Sequence, residues 1–87
     1  MSFNKSEIIN KICYTELVYG RINKKLKSNY SKSEIKRMLL KVLKDTPETD
    51  FQQIGKNIYV SNTINHIRIT INSYTYRIIT VDTLAIG

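Results

Sequence analysis

Residues 67–82 read IRITINSYTYRIITVD, and the period of this stretch decides the fold class. From His66 to Asn72 the apolar Ile67, Ile69 and Ile71 alternate with His66, Arg68, Thr70 and Asn72, the period-two pattern of a half-buried strand. Asn72-Ser73 is a turn candidate, since both side chains bond local backbone and Asn tolerates positive φ. A two-residue turn there sets Ile71 opposite Tyr74, Ile69 opposite Tyr76, Ile67 opposite Ile78, Thr70 opposite Thr75 and Arg68 opposite Arg77. A turn longer by two shifts the partners and keeps the faces, whereas an odd change swaps every side chain over. On this reading an Ile/Tyr face packs, and the other face carries Arg68 beside Arg77 with His66 next in line. Like charges facing each other across strands are unfavourable unless an anion sits between them.

Working outward, residues 51–54 and 57–61 flank Gly55-Lys56, a tight-turn dipeptide that pairs Phe51 with Val60 and Gln52 with Tyr59. A further turn at Asn62-Thr63 sets Ile58 beside Ile67 and Tyr59 beside His66. The three turns chain into a four-stranded antiparallel meander. One face then collects Phe51, Ile58, Val60, Ile67, Ile69, Ile71, Tyr76 and Ile78. The reverse collects Gln52, Asn57, Tyr59, His66, Arg68, Thr70, Thr75 and Arg77. By the same alternation Asp82 falls on the apolar side, and the reverse face of the central strands carries no carboxylate.

Before Pro47 the period is helical. Ile8, Ile9, Ile12, Cys13, Leu17, Val18, Ile22 and Leu26 recur at three- and four-residue spacing, with Asn4 and Glu7 as a capping pair. Thr15 is a second cap candidate, and Gly20 weakens a helix interior by about 1 kcal/mol relative to Ala. Two segments with a bend are therefore expected before Lys27. Ser31 and Glu34 have capping-box spacing ahead of the stripe Ile35, Met38, Leu39, Val42 and Leu43, and Asp45-Thr46-Pro47 ends that helix. The expected fold is α+β: two or three N-terminal helices (about 4–44) packed on one face of the meander (about 50–82), in a single domain spanning 1–87.

Composition bounds the function. With 87 residues and 41% hydrophobic content the chain is globular, with room for one modest core. Cys13 is the single cysteine, so no disulfide framework or CxxC pair exists, and its place among helical apolar residues predicts core packing. One His and one Cys exclude a protein zinc site. The N-terminus lacks a signal peptide and no run reaches membrane-spanning length, so a cytoplasmic protein without membrane contact is expected. The net charge of +7 is uneven: nine basic residues from Arg21 to Lys44 face Glu34 alone, and the rest of the chain sums to −1. That concentration fits a surface meeting nucleic acid or another polyanion; the plain alternative is a solvated helix face.

The motifs TEL…RINKKL at 15–26, GKNIYV at 55–60 and IRITINSYTYRIITVD at 67–82 together resemble a small bacterial family catalogued as a domain of unknown function. The resemblance covers most of the chain and implies no activity, ligand or catalytic residue. The architecture is more loosely similar to the barnase-like and RelE-like small ribonucleases, which cleave RNA without metal on an uncovered sheet face. That likeness is at fold level.

Three function classes remain. Nucleic-acid contact, RNA favoured, would use Arg68, Arg77, His66, Tyr59 and Asn57 on the sheet with Lys24, Lys25, Lys27, Lys36, Arg37 and Lys41 on the helices: arginines to hold phosphate bidentately, Tyr59 to stack a base. A protein-binding regulator or inhibitor, of the kind a mobile element carries, would use the basic helix or the 51–54 edge strand. Metal-independent RNA cleavage would need His66 as acid or base, and it lacks the glutamate of a barnase-type site. Binding is expected over catalysis. No cofactor and no metal are expected, and oligomeric state is left open.

Overall fold

The structure, a computed structural model, describes residues 4–84. Its elements run α1 (Lys5–Lys11), α2 (Glu16–Leu26), α3 (Lys32–Asp45), a 3-10 turn (Glu48–Asp50), β1 (Phe51–Ile54), β2 (Asn57–Asn62), β3 (Ile67–Asn72) and β4 (Ile78–Thr83). Three helices thus precede a four-stranded antiparallel sheet of order β1-β2-β3-β4, the α+β arrangement that the change of period predicts.

The helices start where their caps direct. Asn4 Oδ1 accepts the Glu7 N–H at 3.0 Å. Ser31 Oγ accepts the Glu34 N–H at 3.2 Å while Glu34 Oε1 accepts the Ser31 N–H at 2.9 Å, so the capping box is complete. The bend between α1 and α2 is real, and it does more than turn the chain. Cys13 N–H donates to Tyr76 O and Ile78 N–H donates to Cys13 O, both at 2.9 Å, so residue 13 bridges to the sheet alongside Arg77. Cys13 is consequently exposed rather than a core residue, because it sits in an extended link and not in a helix. Leu17 also departs from expectation at 80% exposure. With α2 beginning at Glu16, the buried stripe is Val18, Tyr19 and Ile22, and Leu17 points well to its side.

Parity decides which side chains reach the core. The first hairpin is as predicted, with Phe51 opposite Val60 and Gln52 opposite Tyr59. Gly55 takes a φ of +60° there, which glycine adopts without the steric cost of a Cβ. The second turn occupies residues 63–66, so Ile58 faces Ile71 and Tyr59 faces Thr70 instead of Ile67 and His66. Asn62 Oδ1 accepts the Asn65 N–H at 2.8 Å and His66 adopts φ +55°, which closes the longer turn. That slip is even, so the faces survive it.

The third connection overturns the two-residue turn at Asn72-Ser73. Asn72 Oδ1 accepts the N–H groups of Tyr74 and Thr75 at 2.8 and 3.0 Å, and Tyr76 turns the chain at φ +59°. Ile71 then pairs with Ile78, and a bulge beside Thr70/Ile71 shifts the rest by one: Thr70 faces Thr80, Ile69 faces Val81, Arg68 faces Asp82. Beyond this odd step every β4 side chain changes sides. Val81 enters the core and Asp82 leaves the apolar face. Tyr74, predicted to face Ile71, lies in the loop at 74% exposure.

A single apolar cluster joins the layers. Ile8, Val18, Ile22, Ile35, Leu39 and Leu43 from the helices meet Phe51, Ile58, Val60, Ile69, Ile71, Ile78 and Val81 from one sheet face. Tyr76, partly buried against this cluster, donates its hydroxyl to Glu7 Oε1 at 3.0 Å and so ties the β3–β4 loop to α1. On the other sheet face Gln52, Ile54 and Arg68 are exposed and Tyr59 and Ser61 half-buried.

Candidate functional site

Arg68 is the natural origin of the site, since alternation along β3 turns it away from the buried Ile69 and leaves it exposed. Ser61 of β2 lies opposite on one side and Asp82 of β4 on the other. Arg77 does not join it. Its carbonyl accepts the Asn72 N–H at 2.9 Å, which sets it four residues further along β3, about 13 Å away at the usual strand rise. The side-by-side arginine pair read from the sequence is therefore absent, and the charge facing Arg68 is a carboxylate. The cause is the longer loop together with the bulge.

That carboxylate connects the sheet to the basic helix. Lys25 Nζ lies 3.2 Å from Asp82 Oδ1, a partly exposed ion pair worth at most about 1 kcal/mol in itself. One turn earlier Arg21 Nη1 donates to Ile79 O at 3.0 Å. Together with the Cys13 bridge, these contacts lay α2 along β4 and cover an edge that would otherwise be bare. Arg21, Lys24 and Lys25 line a shallow groove of about 600 Å³ with Gly20. Lys27 follows at the helix end in a left-handed conformation, φ 54°.

On the open face, Tyr59 is half-buried and stands opposite Gln52 and Thr70, and its hydroxyl accepts from Asn57 Nδ2 at 3.4 Å. Gln52, Ile54, Tyr59, Ser61 and Arg68 border a depression of about 250 Å³. His66 is not in line with Arg68 on a strand. It occupies the β2–β3 turn, exposed, with its carbonyl accepting the Leu84 N–H at 2.8 Å.

The basic residues of α3 lie on another surface. Its stripe packs inward, so Lys36, Arg37 and Lys41 look out from the helix layer, away from the open sheet face. Lys36 Nζ stands 5.8 Å from the Tyr14 ring centroid, and Lys32 Nζ stands 5.4 Å from that of Tyr19 and 2.6 Å from Glu16 Oε2. Tyr14 stacks on Tyr19, and burial pushes its hydroxyl up to about 12. Arg37 and Lys41 flank a separate groove with Tyr30, Glu34 and Met38.

The sequence reading thus missed three participants. Asp82 was hidden by a bulge that no alternation pattern announces. Arg21 was counted as charge, without any signal that it reaches a β4 carbonyl. Gln52 was assigned to the correct face but given no part. Among the described residues no cluster of three His, Cys, Asp or Glu occurs, and no helix is long and apolar enough to cross a membrane.

No curated protein and no solved structure matches the chain. A family model does, over residues 6–82, which include α2, α3, β1, β2 and β3 and all but one residue each of α1 and β4. The chain belongs to that family, described as "Protein of unknown function (DUF3781)".

Proposed function

We propose that this chain binds polyanions, RNA first among them, along a belt formed by α2 and the adjoining open face of the sheet. The observation that carries this reading is the Lys25–Asp82 contact at 3.2 Å, with Asp82 directly across from Arg68. It makes the basic flank of α2 continuous with the exposed sheet face, so Arg21, Lys24, Lys25 and Arg68 can follow one nucleic-acid backbone. The charge of α2 and its C-cap supports it, because Arg21, Lys24, Lys25 and Lys27 follow one another with no acid among them. Holding is favoured over cutting: the single histidine sits in a turn, and the carboxylate nearest Arg68 is engaged by a lysine. The test is a titration of RNA at several salt concentrations. Each phosphate neutralised should contribute roughly −0.7 to the slope of log K against log salt on a single strand. Replacing Lys24, Lys25 and Lys27 with Gln should flatten that slope by about 2. Binding that ignores both salt and these lysines overturns the proposal.

A protein partner is the second reading, and one observation favours it. Ser73 N–H donates to Lys56 O at 2.8 Å, tying the β1–β2 turn to the β3–β4 loop. The exposed Ile54 (57%) and Tyr74 (74%) are thereby brought to the same end of the sheet, an apolar anchor pair of the kind interfaces use. A salt-insensitive complex lost on Tyr74→Ala, with RNA binding unchanged, would assign that end to a protein.

A further inference from the structure

We propose that the depression on the open sheet face seats one base of a single-stranded nucleic acid on the ring of Tyr59, with Arg68 holding the phosphate beside it. This rests on the polyanion-binding reading and adds to it the strandedness of the ligand and the residue that detects it.

The register assembles the seat. Gln52 faces Tyr59 across β1–β2, Ser61 faces Arg68 across β2–β3, and Ile54 lies two residues from Gln52 on the same side. These five residues surround a cavity of about 250 Å³, smaller than the roughly 300–1,000 Å³ of sites that enclose a whole small molecule. The space suits one planar ring of a longer ligand. Its walls match that use: Tyr59 and Ile54 supply apolar area, while the Gln52 amide and Ser61 hydroxyl each offer a donor and an acceptor to a base edge. Tyr59 is held in place, with its hydroxyl accepting from Asn57 Nδ2 at 3.4 Å. Thr70, between Tyr59 and Thr80 in register, is only 6% exposed, so the sheet beside the ring is closed to solvent. Arg68 stands diagonally from Tyr59 on this face, within reach of a backbone phosphate next to a stacked base. A duplex keeps its base faces inside the stack and cannot use such a ring.

The test uses the full chain with a fluorescent 12-nucleotide RNA single strand and the blunt duplex of the same sequence. Tyr59→Ala should weaken single-strand binding roughly 5- to 100-fold, as loss of one stacked base does, with the salt slope unchanged. Tyr59→Phe should stay within about twofold, because it keeps the ring. Arg68→Gln should lower the slope by about 0.7, and duplex binding should ignore Tyr59→Ala. Tyr59 ring resonances in the wild-type protein should move upfield on addition of the single strand, a readout independent of any variant's folding. If Tyr59→Ala and the ring resonances are both indifferent while the lysine substitutions still abolish binding, the base seat is wrong and the polyanion reading stands. Absence of binding to either RNA at low salt overturns both.

Discussion

Asn62 Nδ2 donates to Thr46 Oγ1 at 2.8 Å, and both residues are buried, at 3% and 0% exposure. Thr46 ends α3 and its hydroxyl donates in turn to Val42 O at 2.6 Å, while Asn62 ends β2 and its Oδ1 accepts from Asn65. One hydroxyl therefore closes the last turn of the helix and fastens the helical layer to the sheet. Thr46→Val keeps the volume and strands a buried amide donor, which costs about 1–3 kcal/mol. Urea unfolding should show a lower midpoint at unchanged m. The pair Thr46→Val with Asn62→Leu removes the stranded amide but also the Oδ1 that accepts the Asn65 N–H, so its recovery should be partial. A single variant within 0.5 kcal/mol of wild type would mean that the bond carries no net stability.

Gly20 lies inside α2, and nothing stands within 4 Å of where a Cβ would be. Neither packing nor a special φ calls for glycine there. Gly20→Ala should raise stability by about 1 kcal/mol through helix propensity alone. Chemical denaturation measures this, and a loss of stability would show that α2 needs a local freedom its geometry does not display.

The capping box also sets an acid limit. The Ser31 backbone N–H, and after it the Ser31 hydroxyl, hold the Glu34 carboxyl below its ordinary 4.5. Tyr76, and after it Lys11, do the same for Glu7. A carboxyl whose folded value is depressed contributes stability that is complete above its unfolded value. The contribution is lost as pH falls through the folded value. Thermal stability should therefore decline as pH drops below about 4.5. Glu34→Gln keeps a capping partner but cannot titrate, so its deficit at pH 7 should shrink or vanish near pH 2–3. A deficit that is constant across that window would remove Glu34 from the acid limb.

Fold legibility in the sequence followed how local each signal was. Caps and stripes are written in adjacent residues, so α1, the split before α2, and α3 could be placed from Asn4, Thr15, Ser31 and Pro47. The Gly55-Lys56 hairpin was equally local. The longer turns were not legible, because Asn62 and Asn72 can each close loops of several lengths with the same side-chain oxygen. An even slip at the first left the faces intact. At the second, the bulge changed parity, and that one step moved Val81 inward, Asp82 outward, and parted Arg77 from Arg68. For the site, Tyr59, Arg68 and Lys25 could be nominated from residue type and alternation. Their linkage through Asp82 depends on the packing of α2 against β4, which no short-range pattern encodes.

The misplaced Asp82 supplies a sharp test of the proposed belt. Its carboxylate lies 3.2 Å from Lys25 Nζ and across β3–β4 from Arg68, so one of the cations assigned to phosphate, Lys25, is already paired in the free protein. A ligand phosphate must compete with it. Asp82→Asn removes the competitor and keeps the shape, at a stability cost bounded by the worth of an exposed pair, below about 1 kcal/mol. If the belt binds RNA, this variant should bind several-fold more tightly at low salt, and its log K–log salt slope should steepen by up to about 0.7 as one more phosphate contact forms. Lys25→Gln in the Asp82→Asn background should reverse most of the gain, because the ammonium released from the pair is then missing. Unchanged affinity in Asp82→Asn, measured by anisotropy with the fold verified by circular dichroism, would show that RNA does not pass over this part of the sheet.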